Sequence, residues 1–360
     1  MKRIILWGTT ISIIVVGLWV VVGRAWAADC YLFSDEIGHV CEAEPPTPTF
    51  VRPEPFANSI LPSQRYARLK DLIDVYSAPS MNSPIVRNVG DGFLFSTINY
   101  GTENEGRLWY EINLGEWVRA EDLTLTTASE FTGMEIHTVL ERPFGWMVAD
   151  YWYSLEPGAE PPADAVKLPR YTFLEVYDAV EDDEGWLWYN IGGGRWMRQT
   201  YVSLVDPNQR PAGVGPDEYW VEIDLYEQTF AAYEGDRMVY AGLVSSGLNR
   251  WPTHEGLFQV WDRHLKTKMS GAEGKVDYYF IEDVPHTMFF DNDIALHGAF
   301  WHDRFGYKHS HGCVNMPPRD AEWVFYWSEG APNDLYVWVH TSDPQHYFTR
   351  YDPQEPFAGP

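Results

Sequence analysis

Apolar and polar residues alternate along most of this chain, with the period of two that half-buried strands require. Trp220-Val221-Glu222-Ile223-Asp224-Leu225 is the clearest case, and Thr229-Phe230-Ala231-Ala232-Tyr233 follows it. The turn Glu234-Gly235-Asp236 then leads into Met238-Val239-Tyr240-Ala241 as a return strand. Residues 256–261, 278–281, 288–290 and 336–340 read as further strands. One stretch has helical spacing, residues 318–329, with Pro318 at an early position and Ala321, Val324 and Phe325 on one face. The region is therefore mainly β with one short helix.

The first half of the chain repeats itself. Leu108-Trp109-Tyr110-Glu111-Ile112-Asn113-Leu114-Gly115-Glu116-Trp117-Val118-Arg119 returns 79 residues later as Leu187-Trp188-Tyr189-Asn190-Ile191-Gly192-Gly193-Gly194-Arg195-Trp196-Met197-Arg198. Short strand-like runs (92–100, 171–177) precede each copy, and each copy closes in a tight W-Y-x-I-x-x-G-x-W hairpin. Over residues 63–206 these features resemble the SH3-like barrels of exported cell-envelope proteins. That likeness implies two small barrels, 63–128 and 129–206, able to contact glycan or peptide. Tryptophans at alternating strand positions are more often packing residues, and packing is the favoured reading here.

Three segments flank these units. Residues 4–22 are apolar, follow Lys2-Arg3 and precede Ala25-Trp26-Ala27, the pattern of a secretory signal. The run is also long enough to anchor the chain in a membrane, so 1–27 is expected to be a signal peptide or an anchor, and either directs export. Residues 28–62 are proline-rich and predict an extended stalk; 207–216 predict a linker, and 342–360 a tail.

Composition narrows the partners. The chain carries 26 basic and 52 acidic side chains, a formal charge of -26, which repels phosphate backbones and argues against nucleic acid. Membrane contact is expected through the N-terminal segment alone. Of three cysteines, Cys30 and Cys41 lie close together, suited to pairing in an oxidising compartment, which leaves Cys313 as the odd thiol.

Cys313 stands in Ser310-His311-Gly312-Cys313-Val314-Asn315, after Leu296-His297-Gly298. Acyl transfer from cysteine needs a thiolate, a base held in one tautomer and donors for an oxyanion. Gly312 lets the backbone approach closely. His311 and His297 compete as base, and the residues alone do not choose between them. His297, His302, His309, His311 and Cys313 are also zinc-ligand types within seventeen residues, but their spacing fits no familiar zinc pattern. No metal or cofactor is expected.

His297-Gly298, eleven intervening residues and then S-H-G-C-V-N resembles the signature of the YkuD-type L,D-transpeptidase catalytic domain. Residues 221–229 and 243–247 resemble its opening strand and second block. At Trp251-Pro252-Thr253-His254-Glu255-Gly256 the chain departs from the family's T-P-x-G-x-F, with His254-Glu255 inserted. The resemblance covers about 217–341 and implies a β-sandwich-like catalytic domain. It makes Cys313 the nucleophile and His297 the proton donor and acceptor, oriented by the Gly298 carbonyl. It places His311 and Gly312 at the oxyanion hole and Ser310 and Asn315 as supporting hydrogen-bonding residues. Tyr279, His286, Met288 and Trp301 are expected to line the substrate cleft, and His302 and His309 to lie in a lid loop. The implied substrate is a peptidoglycan stem peptide, cross-linked between third-position residues with loss of D-Ala. Resolution by water or by a protein amine, or a non-catalytic wall-binding role, are the other readings.

Overall fold

The computed structural model describes residues 29–34, 38–42, 49–140, 142–275 and 277–345. Residues 1–47 form a unit of their own, in which Asp29–Ser34 and Gly38–Glu42 pair antiparallel with Cys30 opposite Cys41. The apolar segment 4–22 and the cleavage pattern at 25–27 lie outside the described residues. Within the described residues, no helix is long and apolar enough to cross a membrane.

The second unit, residues 48–360, is built on two large sheets. From the first half of the chain come β1 (Phe50–Val51), β2 (Tyr66–Leu69), β3 (Phe93–Thr97), β4 (Leu123–Thr126) and β5 (Met134–Ile136). The second half supplies β6 (Tyr219–Asp224), β7 (Thr229–Glu234), β8 (Arg237–Leu243), β9 (Gly256–Gln259) and β10 (Asp262–Gly271). Then follow β11 (Tyr279–Asp291), β12 (Ile294–Gly298), β13 (Val314–Met316), helix α1 (Pro318–Trp327) and β14 (Tyr336–His340). One sheet has the order β9-β14-β6-β7-β8-β5-β1; the other runs β4-β2-β3-β11-β12-β13, with β10 also on β11. Val221, Ile223, Phe230, Leu296, Val314 and Val324 form a common core from both sheets and the helix. The alternation seen in β6 and β7 is the packing of this core, and even their polar Glu222, Asp224 and Thr229 are buried.

Two expectations need correction. The sequence predicts repeat 1 as a barrel apart from the catalytic region, yet its strands β4, β2 and β3 continue the catalytic sheet. Phe93, Leu94 and Phe95 pair in parallel with Tyr279, Phe280 and Ile281. Its other strands form a five-stranded sheet over a core that includes Val75, Ile112 and Val118. The proline-rich stretch is also not a free stalk from residue 49 onward. Phe50–Val51 is an edge strand, Phe56 packs on Tyr326 of α1, Ser59 Oγ donates to Glu322, and Arg319 donates to the Pro53 carbonyl. Prolines remove N–H donors without preventing side-chain burial, and the segment covers the outer face of α1.

Repeat 2 keeps its own core of Met147, Leu174, Tyr189, Met197 and Val202. Trp109 and Trp188, equivalent positions in the two hairpins, are both buried, as packing residues should be. The predicted linker is docked as well: Val214 is buried and Arg210 pairs with Asp236.

Candidate active site

The site grows from two adjacent parallel strands. β12 and β13 pair Leu296 with Val314, His297 with Asn315 and Gly298 with Met316. Cross-strand partners point to the same face. Cys313 immediately precedes β13, two residues before Asn315, the cross-strand partner of His297.

His297 is 1% exposed, and its Nδ1 lies 3.3 Å from the Gly298 carbonyl oxygen. A carbonyl can only accept, so the proton sits on Nδ1 and the Nε2 lone pair is left free. Burial pushes the imidazole down to about 4, so the ring is neutral at pH 7. Cys313 is half-buried. Its thiol lies 3.7 Å from the Asp293 carbonyl and receives the Ala295 N–H. Loss of water around the sulfur pushes it up to about 11. Among the described residues, Sγ has no hydrogen bond to an imidazole. The resting pair is thus thiol and neutral imidazole, an uncharged couple that suits a dry site.

Hydroxyls hold the nucleophile's loop. Ser310 Oγ donates to the Cys313 carbonyl and accepts the Gly312 N–H at 3.1 Å. Thr253 Oγ1 donates to the Gly312 carbonyl at 2.7 Å and accepts the Gly247 N–H at 2.9 Å. Gly312 has φ +119°, a left-handed conformation that favours glycine. The expected oxyanion role of Gly312 is corrected here in one respect: its own N–H is already committed to Ser310. Thr253 answers the sequence departure, because the threonine after Pro252 reaches the loop while His254 and Glu255 stay exposed.

His311 lies among aromatic side chains. Its ring packs on Trp251 (centroids 3.5 Å apart) and near Tyr279 (5.2 Å), with the Arg250 guanidinium stacked over Trp251 at 3.8 Å. Tyr279 is close enough to Cys313 and Asp293 for their charge to add to burial in raising its phenol to about 12. Trp301 lies against His297, ring centroids 5.6 Å apart. His286 and Met288, expected in the cleft, are elsewhere. His286 is fully buried against Phe325 and Tyr326, 3.6 Å from Glu322, and Met288 lies in the core. Positive φ at Asp283 and His286 interrupts the regular alternation of β11, so counting in twos through this stretch fails. His302 and His309 do not form a free lid: their rings pack 4.3 Å apart, and His309 is buried. Among the described residues no group of three or more His, Cys, Asp or Glu side chains stands at metal-binding spacing.

A neutral buried imidazole on the strand next to the one that Cys313 leads into, in a mainly β domain, is an arrangement suited to acyl transfer through sulfur. Residues 218–350 match the model of the YkuD family, the L,D-transpeptidase catalytic domain. A curated relative, the putative L,D-transpeptidase YciB of Bacillus subtilis (strain 168), is 27% identical over 146 residues, 36% of this chain and 73% of that protein. Among solved structures, a mutant Enterococcus faecium L,D-transpeptidase is 24% identical over 34% of this chain and 50% of its own, with TM-score 0.31. The L,D-transpeptidase from Mycobacterium smegmatis is 15% identical over 60% of this chain and 94% of its own, with TM-score 0.32. The chain thus spans about half the length of the Enterococcus structure.

Sequence reasoning missed Thr253, Trp251 and the backbone groups of Asp293 and Ala295. A threonine or tryptophan in a loop carries no local signal, and the other two act through main-chain atoms.

Proposed function

We propose that this chain is an exported peptidoglycan L,D-transpeptidase with Cys313 as nucleophile and His297 as proton carrier. The observation that carries the reading is the placement of Cys313 at the start of β13, two residues before the strand partner of His297, with the His297 Nε2 lone pair left free by the Gly298 carbonyl. In the first half-reaction Sγ attacks the carbonyl between the L-centre of a third-position diamino acid and D-Ala. The thiol proton passes to His297 Nε2 as the S–C bond forms. The tetrahedral intermediate collapses, the C–N bond breaks, and the imidazolium protonates the departing amine of D-Ala. The amine of a second stem then attacks the thioester, gives its proton to His297, and the thiolate leaves and recovers that proton. The product joins two third-position residues.

The high thiol and low imidazole values make a standing ion pair unfavourable, so proton transfer accompanies attack. Alkylation of Cys313 by iodoacetamide should therefore rise with pH beyond 9; a plateau already at pH 7 would contradict the neutral resting pair. The function itself is tested with purified tetrapeptide muropeptides and mass spectrometry. A cross-linked dimer with release of D-Ala is expected. Tripeptide alone would mean that water resolves the thioester, and no product from wild type would end the enzymatic reading.

A further inference from the structure

We propose that His302 is a positioning residue: it fixes the Asn315 amide so that its NH2 group serves the reacting carbonyl at Cys313. This rests on the acyl-transfer reading above. His302 Nδ1 accepts the Arg304 backbone N–H at 3.1 Å, and Asn315 Nδ2 stands 2.9 Å from His302 Nε2, a placement in which amide nitrogen and oxygen can be exchanged. A neutral imidazole has one donor and one acceptor nitrogen. With Nδ1 occupied as acceptor, Nε2 carries the proton and must find an acceptor. The NH2 of Asn315 cannot provide one, so the amide stands with Oδ1 on His302. Its NH2 is then turned away from His302, at a position paired with His297 across the strands and two residues from Cys313.

Both neighbours of this arrangement are fixed. The Asn315 backbone exchanges two hydrogen bonds with Ser245, at 2.8 and 2.9 Å, and the side chain is buried. The loop that presents Arg304 is clamped at four points. Ser245 Oγ donates to the Arg304 carbonyl at 3.0 Å, and the Gly306 N–H donates to the Val244 carbonyl at 2.9 Å. Arg170 donates to the carbonyls of Asp303 and Phe305 at 2.7 and 3.0 Å. One backbone candidate for that task, the Gly312 N–H, is already held by Ser310. An amide NH2 fixed in advance costs no reorganisation when charge develops on the substrate oxygen.

The test compares two reactions of Cys313 in the full-length chain. Acylation by a carbapenem creates an oxyanion; alkylation by iodoacetamide does not. Both are read as adduct mass against time, and His302→Leu and Asn315→Leu are compared with wild type. Acylation should slow about a hundredfold in each, as for loss of an oxyanion donor, while alkylation stays within about twofold of wild type, the size of an ordinary experimental difference. The double variant should be no slower than Asn315→Leu alone, and His302→Gln, which retains an acceptor and a donor, should recover most of the rate. Parallel loss of both reactions would mean a general structural role and overturn the proposal, as would unchanged acylation. If wild type alkylates but is never acylated, the acyl-transfer reading fails as well; if wild type is acylated and the variants equal it, this proposal alone fails.

Discussion

The two repeats share a hairpin sequence and a packed tryptophan, but they meet the catalytic region by different means. Repeat 1 does so through the backbone. β3 extends the sheet of β11, the Phe93 N–H donates to the Tyr278 carbonyl at 2.9 Å, and Ser96 bonds Glu282. Repeat 2 contributes side chains. Arg170 holds the 303–305 loop, Gln199 donates to the Tyr226 hydroxyl at 2.7 Å, and Ser203 Oγ donates to the Glu227 carbonyl. Repeat 1 thereby supports the strand that begins at Tyr279, and repeat 2 the loop that carries His302. A duplicated unit can keep one core and still diverge at its outer surface, because the core constrains only inward-facing positions.

The two supports matter only if the group between them reacts. Cys313→Ala should lower acyl transfer by at least about a thousandfold with both repeats intact; retained turnover would place the chemistry elsewhere. The backbone junction comes next in size. A Cβ on Gly92 would stand 2.9 Å from both the Tyr278 ring and its carbonyl, at φ +155°. Gly92→Val should therefore destabilise the fold by about 3 kcal/mol in a urea melt and slow acylation through Tyr279. Gly90→Ala, with nothing within 4 Å, should stay within about 0.5 kcal/mol. Equal midpoints for the two variants would show that the β3–β11 junction carries little stability.

Much of this was legible in the chain. β14 follows the alternation, β6 and β7 lie where strands are expected but are buried on both faces rather than half-buried, and α1 starts at the predicted Pro318 and ends at Trp327, before a short 3-10 turn at Ser328–Gly330. The Cys313–His297 pairing came from the family resemblance, since the residues alone left His311 open. Strands predicted at 278–281 and 288–290 are one strand, β11, because Asp283 and Pro285 hide its middle. The β3–β11 pairing was not legible at all. Its parallel partners are nearly two hundred residues apart, and strand partners leave no mark in a single sequence.

Acid should separate the two junctions. His297 and His309 sit at about 4, as do His286 and His311, and His302 lies well below the ordinary 6.5, in each case chiefly by burial. The unfolded chain takes up protons near pH 6.5 that the folded chain refuses, so stability present above 6.5 falls as pH drops towards 4. Asp320 acts in the opposite sense. Burial raises it from 3.8 to about 7, so its share is full at low pH and is lost as pH rises through 7. Asp206, Glu322 and His340, also raised, act with Asp320 but by smaller shifts, so the five imidazoles leave a net loss of about 2 kcal/mol or more between pH 6.5 and 4.5. The β3–β11 pairing contains no histidine in Phe93–Phe95 or Tyr279–Ile281. Amide exchange at pH 4.5 should therefore accelerate in residues 302–309 before it does in Phe93–Phe95; the reverse order would move the acid-sensitive junction to repeat 1.

The smallest effect expected is also the one that isolates repeat 2. Arg170 gives two charge-assisted hydrogen bonds to carbonyls of the 303–305 loop, and its guanidinium lies 4.3 Å from the Tyr171 ring centroid. Tyr171 donates separately to the Asp303 carboxylate at 2.8 Å, so the loop keeps this tether and its bonds to Ser245 and Val244 when Arg170 is lost. Arg170→Leu should therefore cost about 1–2 kcal/mol rather than unfold the protein. The loop would gain freedom, the Arg304 N–H would hold His302 Nδ1 less firmly, and the Asn315 amide would lose part of its orientation. Acylation of Cys313 should slow about threefold to tenfold, while the urea midpoint changes far less than in Gly92→Val. A variant that loses stability without losing acylation rate would reduce repeat 2 to a packing partner. The loop would then need no support from outside the catalytic region.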